Sequence, residues 1–204
     1  MTDASKEKNA LDFLDYAAFG RPCFGERVSG DNAIVEERDG FVFLGIVDVL
    51  GHGVNANALS QQIEAFLQEN WTNDVSETLL KLHECCQGTI GAAVGLAVLN
   101  VEQKELFYCG VGNTVIRILG KRSRRLYSTD GIVGSHMRTP VEQKLSLSVS
   151  DTLILYTDGI KDRFDLDDYP QIIYESPPVI VRNIVRRFEK VYDDATCIVL
   201  RYKK

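Results

Sequence analysis

The 204-residue sequence predicts an α+β sandwich of largely antiparallel sheets covered by helices. Two observations point there. Most strand-like runs follow one another across short turns, which joins neighbours antiparallel, whereas parallel neighbours need long crossovers. Helical periods fall in two blocks, one before the middle of the chain and one near its end, so each block can cover a sheet. A doubly wound nucleotide fold, with a helix after each strand, does not fit this order.

Residues 11–19, 32–37 and 41–48 read as strands, and Arg38-Asp39-Gly40 turns the last two into a hairpin. Residues 54–70 take a helical period, with Ala58, Ile63, Phe66 and Leu67 on one face and Gln61, Gln62 and Gln68 opposite. A second helix over 75–87 is begun by Asp74 or Ser76 as cap, with Leu79, Leu80 and Leu82 on its apolar side. Strands return at 92–101, 105–111 and 114–119, with turns at 100–104 and at Gly112-Asn113. Leu145, Leu147 and Val149 alternate with serines as in a half-exposed strand, and 152–156 suits a buried one. Residues 179–191 form a helix with Ile180, Ile184, Val185 and Phe188 inward and Arg182, Arg186, Arg187 and Lys190 outward; 197–202 is the closing strand. No repeat or linker interrupts the chain, so residues 1–204 are expected to form one domain.

A hydrophobic share of 45% is that of an ordinary globular protein able to build a core, and the net charge of −6 argues against nucleic acid as a partner. The five cysteines (Cys23, Cys85, Cys86, Cys109 and Cys197) are odd in number and show no Cys-x-x-Cys spacing, which suggests neither a disulfide framework nor a zinc site. Residues 1–9 are polar and lack the apolar segment of a signal peptide, and no apolar run is long enough to span a membrane. A reducing cytoplasm, with no membrane partner, is the expected setting.

The chemistry lies in carboxylates at strand ends. Asp48 ends the run Gly45-Ile46-Val47 and is followed by Val49-Leu50-Gly51-His52-Gly53, where the glycines permit a tight turn. Asp158 ends Leu153-Ile154-Leu155-Tyr156-Thr157, Asp193 begins Asp193-Asp194-Ala195-Thr196, and Asp31 stands just before a strand. Brought to one sheet edge, these carboxylates repel each other unless a cation lies among them. Oxygen-only ligands favour Mg²⁺ or Mn²⁺ over zinc. Two such ions can hold a water, lower its pKa and direct it in line at phosphorus, which is phosphoester hydrolysis without a protein nucleophile.

Taken together, Ser29-Gly30-Asp31, Asp48-Val49-Leu50-Gly51-His52-Gly53-Val54, Tyr156-Thr157-Asp158-Gly159-Ile160 and Asp193-Asp194-Ala195-Thr196 resemble the metal-dependent (PPM, type 2C) serine/threonine protein phosphatases, above all the bacterial SpoIIE-type branch with its RsbX- and RsbU-like members. Four ordered motifs from Ser29 to Thr196 make the resemblance far more specific than any one of them. It implies a four-layer α-β-β-α sandwich with two mainly antiparallel sheets flanked by helices. It also implies two Mn²⁺ or Mg²⁺ ions, with Asp48 bridging them, the Val49 carbonyl binding one, Asp158 and Asp193 completing the ligand set, and Asp31 orienting the attacking water. The implied substrate is a phosphoserine or phosphothreonine on a small regulatory protein of the STAS (anti-sigma-antagonist) type, in a stress or partner-switching pathway. Many members carry glycine at the place of Val49, a change a carbonyl ligand tolerates. Many also read Ala-Gly-His-Asn where this chain has Cys109-Gly110-Val111-Gly112-Asn113, nearer the RsbX pattern. With the motifs starting at Ser29, a stand-alone catalytic unit is expected.

Other residues keep two readings. His52 offers a proton to the leaving oxygen or simply shapes the glycine turn; Asp194 supports a ligand or begins the closing turn. Asp130 reads as a turn or as part of a flap through 134–140, His83 and His136 as surface or loop residues, and Arg122, Arg124 and Arg125 as a solvated turn or an attraction for a phosphorylated partner. The rival function is a non-catalytic phosphatase-fold module that docks a regulatory partner; a hydrolase of a small phosphoester is a weaker one.

Overall fold

Asp39 and Gly40 both take positive φ (52° and 81°), the mirror-image turn whose twist matches a hairpin. It joins strands β2 (Asp31–Arg38) and β3 (Phe41–Val49), which pair antiparallel from Arg38↔Phe41 to Asp31↔Asp48. The computed structural model describes residues 9–120, 122–162 and 169–203; the polar segment 1–8 and Lys121, in the basic stretch before Asp130, lie outside them.

Ahead of that hairpin runs β1 (Leu14–Arg21). The strand expected over 11–19 begins later because Ala10–Phe13 closes a 3-10 turn, with the Leu11 N–H capped by the Asn9 side chain and the Ala10 N–H by Glu37. Strands β4 (Ala92–Asn100), β5 (Glu105–Val111), β6 (Val115–Leu119), β7 (Arg124–Leu126), β8 (Gln143–Ser146), β9 (Thr152–Tyr156) and β10 (Ala195–Tyr202) complete two five-stranded sheets among the described residues. Their orders are β1-β10-β9-β6-β7 and β2-β3-β4-β5-β8, with every strand pair antiparallel. Chain neighbours joined by short turns, β2–β3, β4–β5 and β6–β7, pair directly, whereas β3 and β4 pair across the two-helix segment 50–91 and β10 inserts between β1 and β9 from the far end of the chain.

The period of two along each strand divides the side chains between three apolar layers. Val42, Leu44 and Ile46 of β3 meet Ile116, Ile118, Leu153, Leu155, Ile198 and Leu200 of the other sheet in the inter-sheet core. The alternate positions Phe43, Val47 and Val49 turn outward under α1 (Gly53–Asn70) and α2 (Val75–Cys85). Ile154, Tyr156, Cys197 and Val199 turn outward on the opposite side under α3 (Pro177–Phe188). The result is the four-layer α-β-β-α sandwich implied by the resemblance.

The helices differ from expectation in detail. On α1 the inward stripe is Ala56, Leu59, Ser60, Ile63 and Leu67, so Ala58 faces out and Phe66 sits at the margin. Ala56 takes the inner place because it packs under Gly30, where an ideal Cβ would lie 2.7 Å from its own Cβ. Helix α2 is capped by Asp74, which accepts the Glu77 N–H at 2.8 Å, and it leaves Leu80 41% exposed. Helix α3 stops at Phe188 rather than 191, because the following residues pair with the segment after β9: Lys161 N–H donates to the Phe188 carbonyl and Lys190 N–H to the Gly159 carbonyl, both at 2.7 Å.

Candidate functional site

Strand parity decides where the aspartates go. Asp48 continues the series Val42, Leu44, Ile46, so it belongs to the face between the sheets, at the point where apolar side chains stop. Asp31 continues Ala33 and Val35 on the same face of β2 and is the register partner of Asp48. Two like charges are thus placed directly opposite each other, an arrangement that costs stability unless something offsets it. From the other sheet, Thr157 and Thr196 extend the inward series of Leu153, Leu155 and Ile198, Leu200 to the same end.

Three of these inward residues form a hydrogen-bond relay. Thr157 Oγ1 donates to Asp31 Oδ2 at 2.6 Å and accepts the Thr196 N–H at 3.0 Å, so a single hydroxyl ties the two sheets together. Asp31 is 8% exposed, and burial followed by the Asp48 charge holds its carboxyl well above the usual range, against the Thr157 hydrogen bond that favours the ionised form. Burial, then the charges of Asp158, Asp193 and Asp194, push Asp48 up to about 7, with Lys190 opposing.

Asp158 and Asp193 form the more open side. Asn113 Nδ2 donates to Asp158 Oδ2 at 2.8 Å, and Lys190 Nζ stands 3.8 Å from the same oxygen. Burial and the Asp158 carboxylate raise Asp193 as well. The loops carrying these residues cross at Gly159: an ideal Cβ there would lie 1.7 Å from the Asp194 carbonyl oxygen, so only glycine allows the approach. Asp194 itself is 3% exposed and accepts the N–H groups of Cys23 and Gly30, each at 2.7 Å. It latches the loop that delivers Asp31.

Val49 is buried, in register with Ala92, but Ala92 exchanges both of its backbone hydrogen bonds with Val133, and Leu50 N–H donates to the Gly91 carbonyl. The Val49 carbonyl therefore does not receive the N–H of its register partner. Among the described residues no three His, Cys, Asp or Glu side chains close into a ready-made cage. A hard divalent cation such as Mg²⁺ takes oxygen ligands, carboxylates among them, and keeps several of its waters. The all-oxygen donor set and the mutual repulsion of Asp48, Asp158 and Asp193 fit such a cation.

The remaining candidates lie elsewhere or do other work. His52 is more than half exposed, and its Nδ1 lies 2.9 Å from Glu26 Oε1. Asp130 is 90% exposed beside Arg138, outside the carboxylate group. Arg124 is tied to Asp151 and Arg125 to Asp162, so these two form ion pairs, while Arg122 is exposed. His83 is not a plain surface residue: its Nδ1 accepts the Gly134 N–H at 3.0 Å, pinning the loop after β7 to α2. Thr157, Asn113 and Lys190 were missed as site residues; only Thr157, directly before Asp158, carried a signal, through its place on the inward parity of β9.

A model of the Stage II sporulation protein E (SpoIIE) family matches residues 38–203. The chain belongs to the SpoIIE family. Phosphoserine phosphatase RsbX of Bacillus subtilis (strain 168) is 26% identical over 139 residues, 67% of this chain and 69% of RsbX. A chain from structural work on the bacterial stressosome, "a modular system that has been adapted to control secondary messenger signaling", superposes with a TM-score of 0.83 at 25% identity, covering 92% of this chain and 99% of its own. The crystal structure of RsbX in complex with magnesium superposes with a TM-score of 0.81 at 19% identity, covering 93% of this chain and 96% of RsbX, and shows the same fold. The SpoIIE match begins at Arg38, so it spans Asp48, Asp158 and Asp193 but not Asp31, whose place rests on the β2–β3 register and the Thr157 bond.

Proposed function

We propose that this SpoIIE-family chain is a phosphatase dependent on Mn²⁺ or Mg²⁺ that removes phosphate from serine or threonine of a regulatory protein. The observation that carries the reading is the convergence of Asp31, Asp48, Asp158 and Asp193 at one end of the inter-sheet core, where burial and mutual repulsion raise Asp31, Asp48 and Asp193. Asp48 would bridge two ions, with the Val49 carbonyl, Asp158 and Asp193 completing the ligand set. When bound, such cations supply an activated water and charge stabilisation at a phosphoryl group.

The protein's own residues prepare that centre. Thr157 occupies Oδ2 of Asp31, which leaves Oδ1 as the acceptor that orients the attacking water. Asn113 holds Oδ2 of Asp158 and so fixes the carboxylate plane, and the latch of Asp194 on Cys23 and Gly30 sets the loop ahead of Asp31. The name of the phosphoserine phosphatase RsbX supports the substrate chemistry, and the stressosome relative supports a phosphorylated STAS-type regulator as partner. The net charge of −6 supports a partner other than nucleic acid. Among the described residues no helix is long and apolar enough to cross a membrane, and we place the activity of this one-domain unit in the cytoplasm.

The test is hydrolysis of p-nitrophenyl phosphate and of a phosphorylated STAS domain with Mn²⁺, with Mg²⁺ and with chelator, using the wild type and Asp48→Asn. The expected result is cation-dependent turnover that falls by at least about a thousandfold in the variant with its fold intact. Near-wild-type activity of Asp48→Asn would sink the mechanism. Partner binding without turnover would establish the docking module instead, and turnover of the small ester alone would establish the small-phosphoester hydrolase.

A further inference from the structure

We propose that the pocket beside Asp158 is a substrate subsite for an acidic side chain flanking the phosphorylated serine or threonine, an inference that rests on the phosphatase reading above. The pocket, about 610 Å³, opens on the outer face of β6 and β9 and is lined by Asp158 and Asn113 on the side of the carboxylate centre. Its apolar lining is Val115, Tyr156 and Ile160, and its cations are Arg125, Lys161 and Lys190. A volume in the range of roughly 300–1,000 Å³ accommodates a side chain or two of a bound peptide.

The cations are held ready. The segments bearing Lys161 and Lys190 pair with each other through the two 2.7 Å backbone bonds to Phe188 and Gly159 and the Ile160↔Glu189 bridge. Arg125 is ion-paired with Asp162, and its guanidinium lies 5.6 Å from the centre of the Tyr127 ring. Asp162 does not neutralise the pocket, because it is shared by Arg125, by Arg117 at 3.8 Å and by the Tyr156 hydroxyl. Among the described residues that line the pocket, three cations (Arg125, Lys161 and Lys190) thus meet two carboxylates, Asp158 and Asp162, with Arg117 close behind Asp162, in a chain whose overall charge is −6. A smaller cleft of about 200 Å³, lined by Arg117, Arg124 and Arg125, shares Arg125 and Asp162 with the first and extends the basic surface.

Charge complementarity therefore selects an anion. The Val115 and Ile160 lining suits the methylene of an aspartate or glutamate better than a bare ion, and Lys190, 3.8 Å from Asp158, joins this subsite to the centre. Such fields act on specificity and on encounter more than on the chemical step.

The experiment uses phosphoserine peptides carrying glutamate, alanine, lysine or a second phosphoserine at each flanking position in turn, with the wild type, Lys161→Glu and Lys161→Ala. Turnover of p-nitrophenyl phosphate is measured in parallel, and binding of the labelled peptides to Asp48→Asn by fluorescence polarisation. The expected result is a preference of about tenfold for glutamate over lysine at one position, expressed in KM and reduced by salt. Lys161→Glu should reverse that preference and Lys161→Ala weaken it, with the small-ester rate unchanged in both. Equal treatment of all peptides, a glutamate preference that survives Lys161→Glu, or a response to the second phosphate alone overturns the inference. Absence of small-ester turnover in the wild type, with glutamate-selective binding retained, would defeat the phosphatase reading and leave the subsite standing.

Discussion

The two sides of the candidate centre are built by opposite means. Around Asp31 every hydrogen-bonding group named is buried and engaged: the Thr157 hydroxyl, the Thr196 N–H, and the Cys23 and Gly30 N–H groups on Asp194. Around Asp158 the partners are open to solvent, the neutral Asn113 amide and the charged Lys190, with Lys190 and Asp158 separated by 3.8 Å and their side chains 46% and 38% exposed. The first side fixes geometry before any ligand arrives. The second leaves charge to be completed by whatever enters, and there electrostatics outweighs packing.

If this contrast holds, variants on the closed side should act on stability. The largest effect is expected at Asp194→Ala, which strands two buried N–H groups and should cost about 3 kcal/mol in urea unfolding, with a matching loss of activity as the Asp31 loop loosens. A cost below about 0.5 kcal/mol would show the latch to be ornamental.

The next effect sharpens the contrast through pH. Asp31, Asp48 and Asp193 are all raised, so the folded protein holds protons that the unfolded chain releases. Stability of metal-free protein should therefore fall as pH rises from about 4, near the ordinary carboxylate value, through about 7, where Asp48 gives up its proton. Chemical denaturation across this range, with chelator and then with Mg²⁺, reads it directly. The cation should recover stability most at the alkaline end, because it binds the ionised carboxylates. Stability that rises with pH in chelator contradicts the proposed repulsion.

The smallest effect is expected at Thr157→Val, a swap of similar shape that removes the hydroxyl between the sheets. A cost of about 1–2 kcal/mol should appear in thermal or urea melts, together with a further rise of Asp31, seen as an alkaline shift in the acid limb of the rate profile. Lost stability without that shift would confine Thr157 to holding the sheets.

Much of the framework was readable along the chain. The hairpin at Asp39-Gly40, the buried run at β9 and the arginine-backed helix α3 follow from turn chemistry and periodicity, which are local properties. Strand β7 was missed because three residues, two of them arginines, carry no apolar alternation; it exists through pairing with β6 and the Arg124–Asp151 and Arg125–Asp162 ion pairs. The inward stripe of α1 was misplaced because alanines at 56 and 58 look alike in sequence, and only contact with Gly30 distinguishes them.

The same division applies to the site. Periodicity along the chain was enough to place Asp48 and Asp158 at the ends of apolar strands, because alternation and turn residues are local properties. Tertiary structure alone put Asp48 and Asp31 on the inter-sheet face, tied Asp31 through Thr157 to the second sheet, and set Asp194 on the Cys23 and Gly30 N–H groups. It also decided that lysines and arginines from distant segments gather beside Asp158. These are long-range outcomes of sheet order and register, in which partners far apart in the chain meet only once both sheets have packed.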